Sequence, residues 1–539
     1  MKKTSKILLF AFSLLGHFLF SQNQNKKWYF GNQAGLDFTT SPPTILTNGA
    51  MNALEGCASM ADGSGNLLFY TDGVTVYNSS HTSMSNGTGL LGNNSACQAA
   101  IILRKPGSTS LYYIFTVQGV SGSSGLNYSI VDMTLSSGQG SVTVKNSPLY
   151  SAGCYEKLTG TQHCNGSDYW IVSHDISSSV FRAHQLSAAG VNTAAVTSTI
   201  GTAVGLPYSL GCMKISPNGS KLGMTDYLGY VDLFDFNNST GAVTNSLSLL
   251  SNFSSYGCEF SADGTKFYAG AFGSFGSGSI RQWDLCAGTN TAIVASQYTI
   301  TASSPWSMQI GTDGKIYVAR GTFTLGAISN PNVSGSGCNY SDNGQSISPK
   351  ATVRSLPNYI ASSFWVHPPS VPFTHTVSNT FGCQTASFTA PPVVNNFSFV
   401  GCSSVGYSLT GIQWNFGDPL SGFANSSNLA NPAHAFTNLG TYTTQLILYY
   451  TCGAMNDTIT QVVNVNQPCI SVSSTSITCA SLGSATVQAT NGIGPFSYTW
   501  MPGGQANPVA TGLSPGVYTI TVFDQGNNFT YTATTLFTS

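Results

Sequence analysis

Between Gly56 and Pro349 one short pattern keeps returning, and few folds accommodate it. A strand-like run leads into a tight turn, usually holding Asp-Gly or Asn-Gly, and then into a second run rich in aromatic residues. It reads GCASMADGSGNLLFY from Gly56, GCMKISPNGSKLGM from Gly211, GCEFSADGTKFYAG from Gly257 and SMQIGTDGKIYVAR from Ser307. The NGSD turn at Asn165 joins TGTQHC to DYWIVSHD in the same manner, and KPGSTS separates QAAIILR from LYYIFTV. Asp-Gly and Asn-Gly suit a two-residue hairpin turn, which needs positive φ at low cost. Six such units at a spacing of roughly 45 to 55 residues predict β-propeller blades of about four strands each.

Two leftover segments, KWYFGNQAGLDF near the start and SLPNYIASSFW near the end, are strand-like and belong to no complete unit. Pairing them would make a composite seventh blade that closes the ring and removes exposed sheet edges. Six blades is the alternative. The propeller then spans residues 27–366.

The rest of the composition agrees with an all-β chain. Charged residues are only 7% of the sequence, against roughly 25% in an average soluble domain. The 41% hydrophobic and 12% aromatic content is nevertheless enough to build cores. Thr, Val, Tyr and Phe are abundant, which favours strands. A net charge of −1, with 18 Lys and Arg scattered along the chain, argues against nucleic-acid binding, which needs clustered cations.

The N-terminus points to export. Lys2, Lys3 and Lys6 form a positive region, Ile7 to Phe20 carries no charge, and Ser21 precedes Gln22. Residues 1–21 read as a signal peptide cleaved after Ser21. No later run is long and apolar enough to cross a membrane, so the mature chain is expected to be secreted or held on the outer cell surface. The 13 cysteines permit disulfides but, being odd in number, leave at least one unpaired within the chain.

Beyond a Pro-rich hinge, HPPSVP at 367–372, lie two smaller β segments, 373–466 and 469–539. Each has the size of an immunoglobulin-like β-sandwich. WNFGDP from Trp414, NPAHAF from Asn431 and LGTYTTQL from Leu439 resemble the signature of the PKD domain, a seven-stranded immunoglobulin-like module of surface proteins. The matching positions are Trp414, Phe416, Gly417, Asp418, His434, Gly440 and Tyr442; Ala435-Phe436 replaces part of the family's usual His-Thr-Tyr run. The last segment, with GSATVQATNGIGPFSYTW and LSPGVYTITVFDQG, is similar to the repeats of SprB-type gliding-motility adhesins of the Bacteroidetes, although Asn528-Phe529 stands where a second Cys is usual. WYFGNQAGLDF, EKLTGTQHCNGSDYWIVSHD and SLPNYIASSFW resemble the N-terminal region of exported Bacteroidetes proteins with a type IX secretion sorting domain. The residues up to Thr538-Ser539 do not read as such a domain. The PKD resemblance implies a Cys383–Cys452 bridge, with Cys402 as competitor, and Cys469 and Cys479 bracket a strand that they could tie together.

Candidate chemistry is sparse. Of 19 carboxylates only three are Glu, and Asp62, Asp263 and Asp313 precede turn glycines. Glu55, Glu156 and Glu259 sit near the starts of blades, where inner strands line a propeller's centre, and are the ligand-facing candidates. A glycosidase would need two carboxyls roughly 5 to 9.5 Å apart, and Glu55 with Glu156 could meet at the channel mouth. His163 and His174 look like a metal pair, but a two-residue turn would put them about 13 Å apart at about 3.3 Å per residue. Cys57 and Cys258 share a position with Met213 and Met308, six residues before each turn glycine, with Cys212 one residue earlier. A site taken by either Cys or Met reads as a core contact. No catalytic motif, metal site or cofactor site is expected.

The sequence therefore predicts a binding or adhesion protein: a propeller head on immunoglobulin-like spacers, with a surface glycan or protein as partner. An extracellular hydrolase acting on glycan or peptide is the first alternative, and a structural surface-layer component the second.

Overall fold

The recurring hairpins build a succession of antiparallel sheets, and their glycines show why the pattern is needed. The computed structural model describes residues 23–538, apart from 120, 121, 123, 204–209, 228, 273–277, 355, 365–372, 379–384, 392–396, 400, 401, 406–408, 439, 451–456, 466–468, 478–480, 491–493 and 527. The predicted signal peptide and the 367–372 hinge thus lie outside the described residues, as do Cys383, Cys452, Cys479 and the side chain of Cys469. The chain divides into two compact units, Met1–Pro368 with Phe397–Gly406, and Pro369–Asn396 with Tyr407–Ser539.

In the first unit, strands Lys27–Phe30, Ala34–Asp37 and Thr44–Leu46 form a three-stranded sheet. An eight-stranded sheet follows, made of two four-stranded meanders that meet at one parallel pairing, Ser141 with Ser85. A five-stranded sheet begins at Cys154–Gln162, and four-stranded sheets begin at Met213–Ile215, Ser255–Phe260 and Met308–Ile310. The first strand of each sheet, or of each meander of the eight-stranded one, packs beside the first strand of the next. The first sheet also packs against the last, with the Trp28 ring 5.7 Å and the Phe38 ring 5.6 Å from Tyr317. This is a nearly all-β, propeller-like arrangement.

The Gly-Cys pairs are the joints of that arrangement. A Cβ on Gly56 would lie 2.1 Å from the Ala99 nitrogen, and one on Gly257 would lie 2.1 Å from the Trp306 oxygen. Each glycine therefore lets the next first strand pass. The following cysteine turns the other way: the Cys57 thiol reaches the Tyr29 carbonyl, and the Cys258 thiol the Cys212 carbonyl, both at 3.6 Å. Cys57, Cys212 and Cys258 are buried, as are Met213 and Met308 at the shared position.

Three local expectations are corrected. The Asp-Gly and Asn-Gly turns do not have two-residue loops. In the Asn218 turn Ser216 and Lys221 close the hairpin, and in the Asp263 turn Ser261 and Lys266 do so. Gly219 and Gly264 take φ of +71° in both, while Asn218 and Asp263 cap the amides two residues on. The glycine plays the expected role within a longer loop.

The NGSD register is also different. The turn is longer than two residues: Thr161 pairs with Trp170, and His163 is already in the turn, its amide bonded to the Asp168 carbonyl.

Third, SLPNYIASSFW does not pair with the first sheet as a strand. Pro357 bridges to Cys57, Asn358 donates its amide to the Cys57 carbonyl, and Ala361–Phe364 coils into a 3₁₀ turn. The segment touches the first sheet through side chains, the Tyr359 hydroxyl donating to the Lys27 carbonyl at 3.1 Å. Pro357 has no N–H for a ladder, and the polar groups at the centre of the unit take Asn358 as a partner.

In the second unit, Thr374–Ser378, Thr385–Thr389 and Ala433–Ala435 form one sheet, while Ser426–Ser427, Leu409–Asn415, Gly440–Tyr450 and Asp457–Val465 form another. Phe373 and Phe388 of the first sheet's side pack on Trp414, at 4.9 and 5.3 Å. Between Cys469 and Phe537 two three-stranded sheets enclose Val487, Trp500, Ile520 and Val522. Both segments are built as paired sheets with aromatic cores.

Candidate functional site

The residues just before or at the start of each first strand converge, and two backbone irregularities help them do so. In the strand Cys154–Gln162 the ladder is interrupted between Cys154 and Leu158, and in Ser255–Phe260 between Ser255 and Cys258. Such bulges re-aim side chains out of the regular alternation. They release Glu156 and Lys157 in one sheet and Tyr256 in the other.

The outcome is a buried cluster. One donor atom each from Glu55, Cys97 and Glu156 lies within 4.8 Å of the other two, and all three residues are buried. The Cys97 thiol is 3.9 Å from Glu55 Oε2, and the Cys97 amide donates to Glu156 Oε2 at 3.0 Å. The Gly211 amide donates to Cys97 Sγ at 3.3 Å. Burial pushes the Cys97 thiol well above its ordinary value, and the Glu156 and Glu55 carboxylates add to this. Arg354 donates to Glu55 Oε1 at 2.7 Å and lies over the Trp306 ring at 4.5 Å. Tyr256 packs edge-on against Trp306 at 5.3 Å. Its hydroxyl is buried beside the Cys97 thiol and makes no hydrogen bond of ordinary geometry.

Glu259, the third candidate, lies apart. It is fully buried, accepts the amides of Phe260 and Ile310 at 3.0 and 3.2 Å, and faces Lys214 Nζ at 3.6 Å. Desolvation raises its carboxyl. Around Lys214 the centre of the unit is knitted by side chains. Lys214 Nζ donates to Gln309 at 2.7 Å and to Asn358 at 3.3 Å. Asn358 Nδ2 donates to the carbonyls of Leu158 and Ala100, and Gln98 Oε1 accepts the amides of Leu158 and Met213. A further buried pair, Lys157 with Asp226, adjoins Asp232, whose carboxyl is raised to about 6 chiefly by burial.

His163 and His174 do not form a pair. His163 stacks on Trp170 at 5.4 Å in the turn, while His174 stacks on Tyr155 at 5.2 Å inside the sheet. Burial, helped by Lys157, lowers His174 to about 3, which keeps it neutral.

In the second unit the PKD-like positions form a structural cluster. Asp418 accepts the Thr437 amide and hydroxyl at 2.9 and 2.7 Å and faces His434 Nε2 at 3.2 Å. Burial raises its carboxyl, but the bonds from Thr437 and His434 prevail and hold it below the ordinary range. His434 stacks on Phe416 at 4.3 Å, and the Tyr442 hydroxyl donates to the Asn438 carbonyl at 2.7 Å. Gly417 has φ of +75°, and a Cβ there would meet the Thr443 carbonyl at 2.4 Å, while Gly440 begins the neighbouring strand.

Sequence reasoning missed Cys97, Tyr256, Trp306 and Arg354. Cys97 and Tyr256 could have been found by aligning the residues that precede or open each first strand. Arg354 stands in the unrepeated tail and carried no such signal.

No family model matches the chain, and no curated protein matches it. Among solved structures it is similar to a candidate 6-phosphogluconolactonase from Bacteroides uniformis, at 12% identity and a TM-score of 0.34, covering 76% of this chain and 95% of that one. A protein from Lactobacillus plantarum gives 12% identity and a TM-score of 0.37 over 62% of this chain and 98% of that one. The β-propeller domain of Swd1 from Myceliophteria thermophila gives 10% identity and a TM-score of 0.30, over 48% and 83%.

Proposed function

We propose that the chain is an exported surface-binding protein: a seven-bladed propeller head carried on two immunoglobulin-like modules, with a glycan or protein as partner. Counting the eight-stranded sheet as two four-stranded meanders gives seven groups of strands, which supports seven blades over six. The observation that carries the binding reading is how the polar groups near the axis are used. Gln98, Lys214, Glu259, Gln309 and Asn358 bond one another or adjacent backbone. Arg354, whose side chain is 46% exposed, stays at the rim with Trp306 beneath it. An arginine stacked on an aromatic ring is a common anchor of protein interfaces. The mature chain, residues 22–539, should bind a member of a glycan and protein array and lose at least tenfold in affinity in Arg354→Ala. Binding that survives this change untouched places the contact elsewhere and overturns the site.

The hydrolase reading keeps one observation in its favour, the approach of Glu55 to Glu156. Retaining glycosidases hold two carboxyls at about 5 to 5.5 Å. Turnover of a glycan or peptide panel that disappears in Glu156→Gln while folding is retained would replace the binding reading with the enzymatic one.

A further inference from the structure

We infer that Glu55, Cys97 and Glu156 form a site for a borderline divalent transition metal, zinc being the ion best suited to it. This goes beyond the binding proposal and does not depend on any partner. The three donors come from the turns before Ala58–Ala61 and Ala100–Arg104 and from the strand Cys154–Gln162, and they are buried together, an arrangement that neither turn formation nor core packing requires. Tetrahedral zinc, with bonds of about 2.0 to 2.3 Å, places its ligand atoms about 3.5 Å from one another. The observed 3.9 Å between Cys97 Sγ and Glu55 Oε2 needs only a small contraction.

A second, independent observation points into the same place. Tyr256 is 2% exposed, and its hydroxyl, buried beside the Cys97 thiol, makes no hydrogen bond of ordinary geometry. A buried polar group without a partner is costly. A metal-bound water, or the ion itself, would satisfy it.

The donor set also selects the ion. Calcium and magnesium take oxygen ligands, whereas a thiolate beside two carboxylates suits zinc and its neighbours. Surrounding bonds fix the ligands in place. The Gly211 amide donates to the sulfur, Arg354 holds the second oxygen of Glu55, and the Cys97 amide holds Glu156. Outer contacts of this kind orient the ligands of known metal sites. With three protein ligands the fourth position is left to water or to Tyr256, as in zinc sites that keep an open coordination place.

The test uses the untagged mature chain, stripped with a chelator and titrated with zinc chloride, with bound metal measured by mass spectrometry. The expected result is one tightly held ion per chain, a rise in melting temperature on loading, and affinity at least tenfold weaker in both Cys97→Ser and Glu156→Gln. Cobalt chloride serves as a spectroscopic probe. Cobalt bound here should show thiolate-to-cobalt charge-transfer absorption that Cys97→Ser lacks. Should a variant fail to fold, the unaltered chain still decides the matter. Failure to retain zinc, or cobalt bound without the thiolate band, overturns the site. So does zinc binding that is equally tight in the two folded variants. Metal uptake is read without any partner, so its failure leaves the surface-binding proposal standing.

Discussion

Each of the two units contains buried, acid-centred clusters, and those of the first unit are assembled in the opposite way to that of the second. Asp418 draws its partners from nearby chain: Thr437 and His434 lie within 19 residues of it. Glu55 and Glu259 draw theirs from across the unit. Arg354 is 299 residues from Glu55, and Ile310 is 51 residues from Glu259. A local cluster leaves a motif in the sequence, whereas a dispersed one leaves only scattered polar residues that the fold must bring together. The difference makes opposite demands on stability, because a dispersed cluster forms only when several sheets dock at once.

The largest effect should come from breaking the dispersed web. Lys214 and Glu259 are both buried, with side chains 3% and 0% exposed. Replacing Lys214 with Met leaves Glu259 without its cation and should cost about 3 to 5 kcal/mol. Denaturant unfolding of the intact chain measures it, and replacing Glu259 with Leu as well should recover most of the loss. A loss below about 1 kcal/mol in the single variant would mean that the amide bonds from Phe260 and Ile310 alone satisfy the carboxylate.

The local cluster should break more gently and in one place. Asp418→Ala strands the Thr437 amide and hydroxyl, at about 1 to 3 kcal/mol. The change should lower only the transition of the second unit. If the transition of the first unit moves by the same amount, the two units do not unfold separately, and the contrast between the clusters loses its meaning.

What could be read in advance follows the same division. The glycine turns, the Gly-Cys joints and the Trp414 to Tyr442 motif are local, and each is visible as a short string. The turn lengths are not legible, because an Asp or Asn cap and a left-handed glycine fit a longer loop as well as a two-residue one. The approach of Glu55 to Glu156 is conceivable from sequence only because both lie near the starts of first strands. Arg354 and Asn358 were illegible, since their roles depend on where a non-repeating tail runs. SLPNYIASSFW looked like a strand from its apolar content. Pro357 could have argued against that, but only the polar centre explains where the segment goes.

Acid should separate the units as well. His174 is buried, with its ring against Tyr155 and Phe181 and with Lys157 nearby, and it titrates at about 3 rather than near 6.5. A lowered histidine binds its proton in the unfolded chain first, so the stability it contributes is lost as pH falls through about 6.5. Asp232 opposes this. Its carboxyl, raised to about 6, takes up a proton in the folded state first and adds stability over the same fall. Between pH 7 and pH 5, His174→Gln should flatten the acid loss of the first unit by about 2 kcal/mol, and Asp232→Asn should steepen it by about 1 kcal/mol. Asp418, held low, matters only at more acid pH, where the second unit should weaken as that carboxyl protonates. An unchanged pH profile in His174→Gln would show that the ring is solvated or paired in solution.

The smallest effect sharpens the comparison within a single sheet. Lys221 lies on the strand next to that of Lys214 and pairs with Asp235, but the two side chains are 37% and 36% exposed. Water already stabilises both charges there, so pairing them recovers little desolvation cost and restricts two flexible chains. Lys221→Met should therefore change stability by less than about 0.5 kcal/mol, even though it deletes the same kind of ion pair as the Lys214 variant. The carbon stem of Lys221 is retained by Met, which leaves charge as the main variable. Added salt should shrink even that difference, because exposed pairs are screened and buried ones are not. A loss comparable to that of Lys214→Met would mean that exposure does not govern the strength of these pairs. The distinction between a central web and a decorated rim would then fail in the unit where it is drawn most clearly.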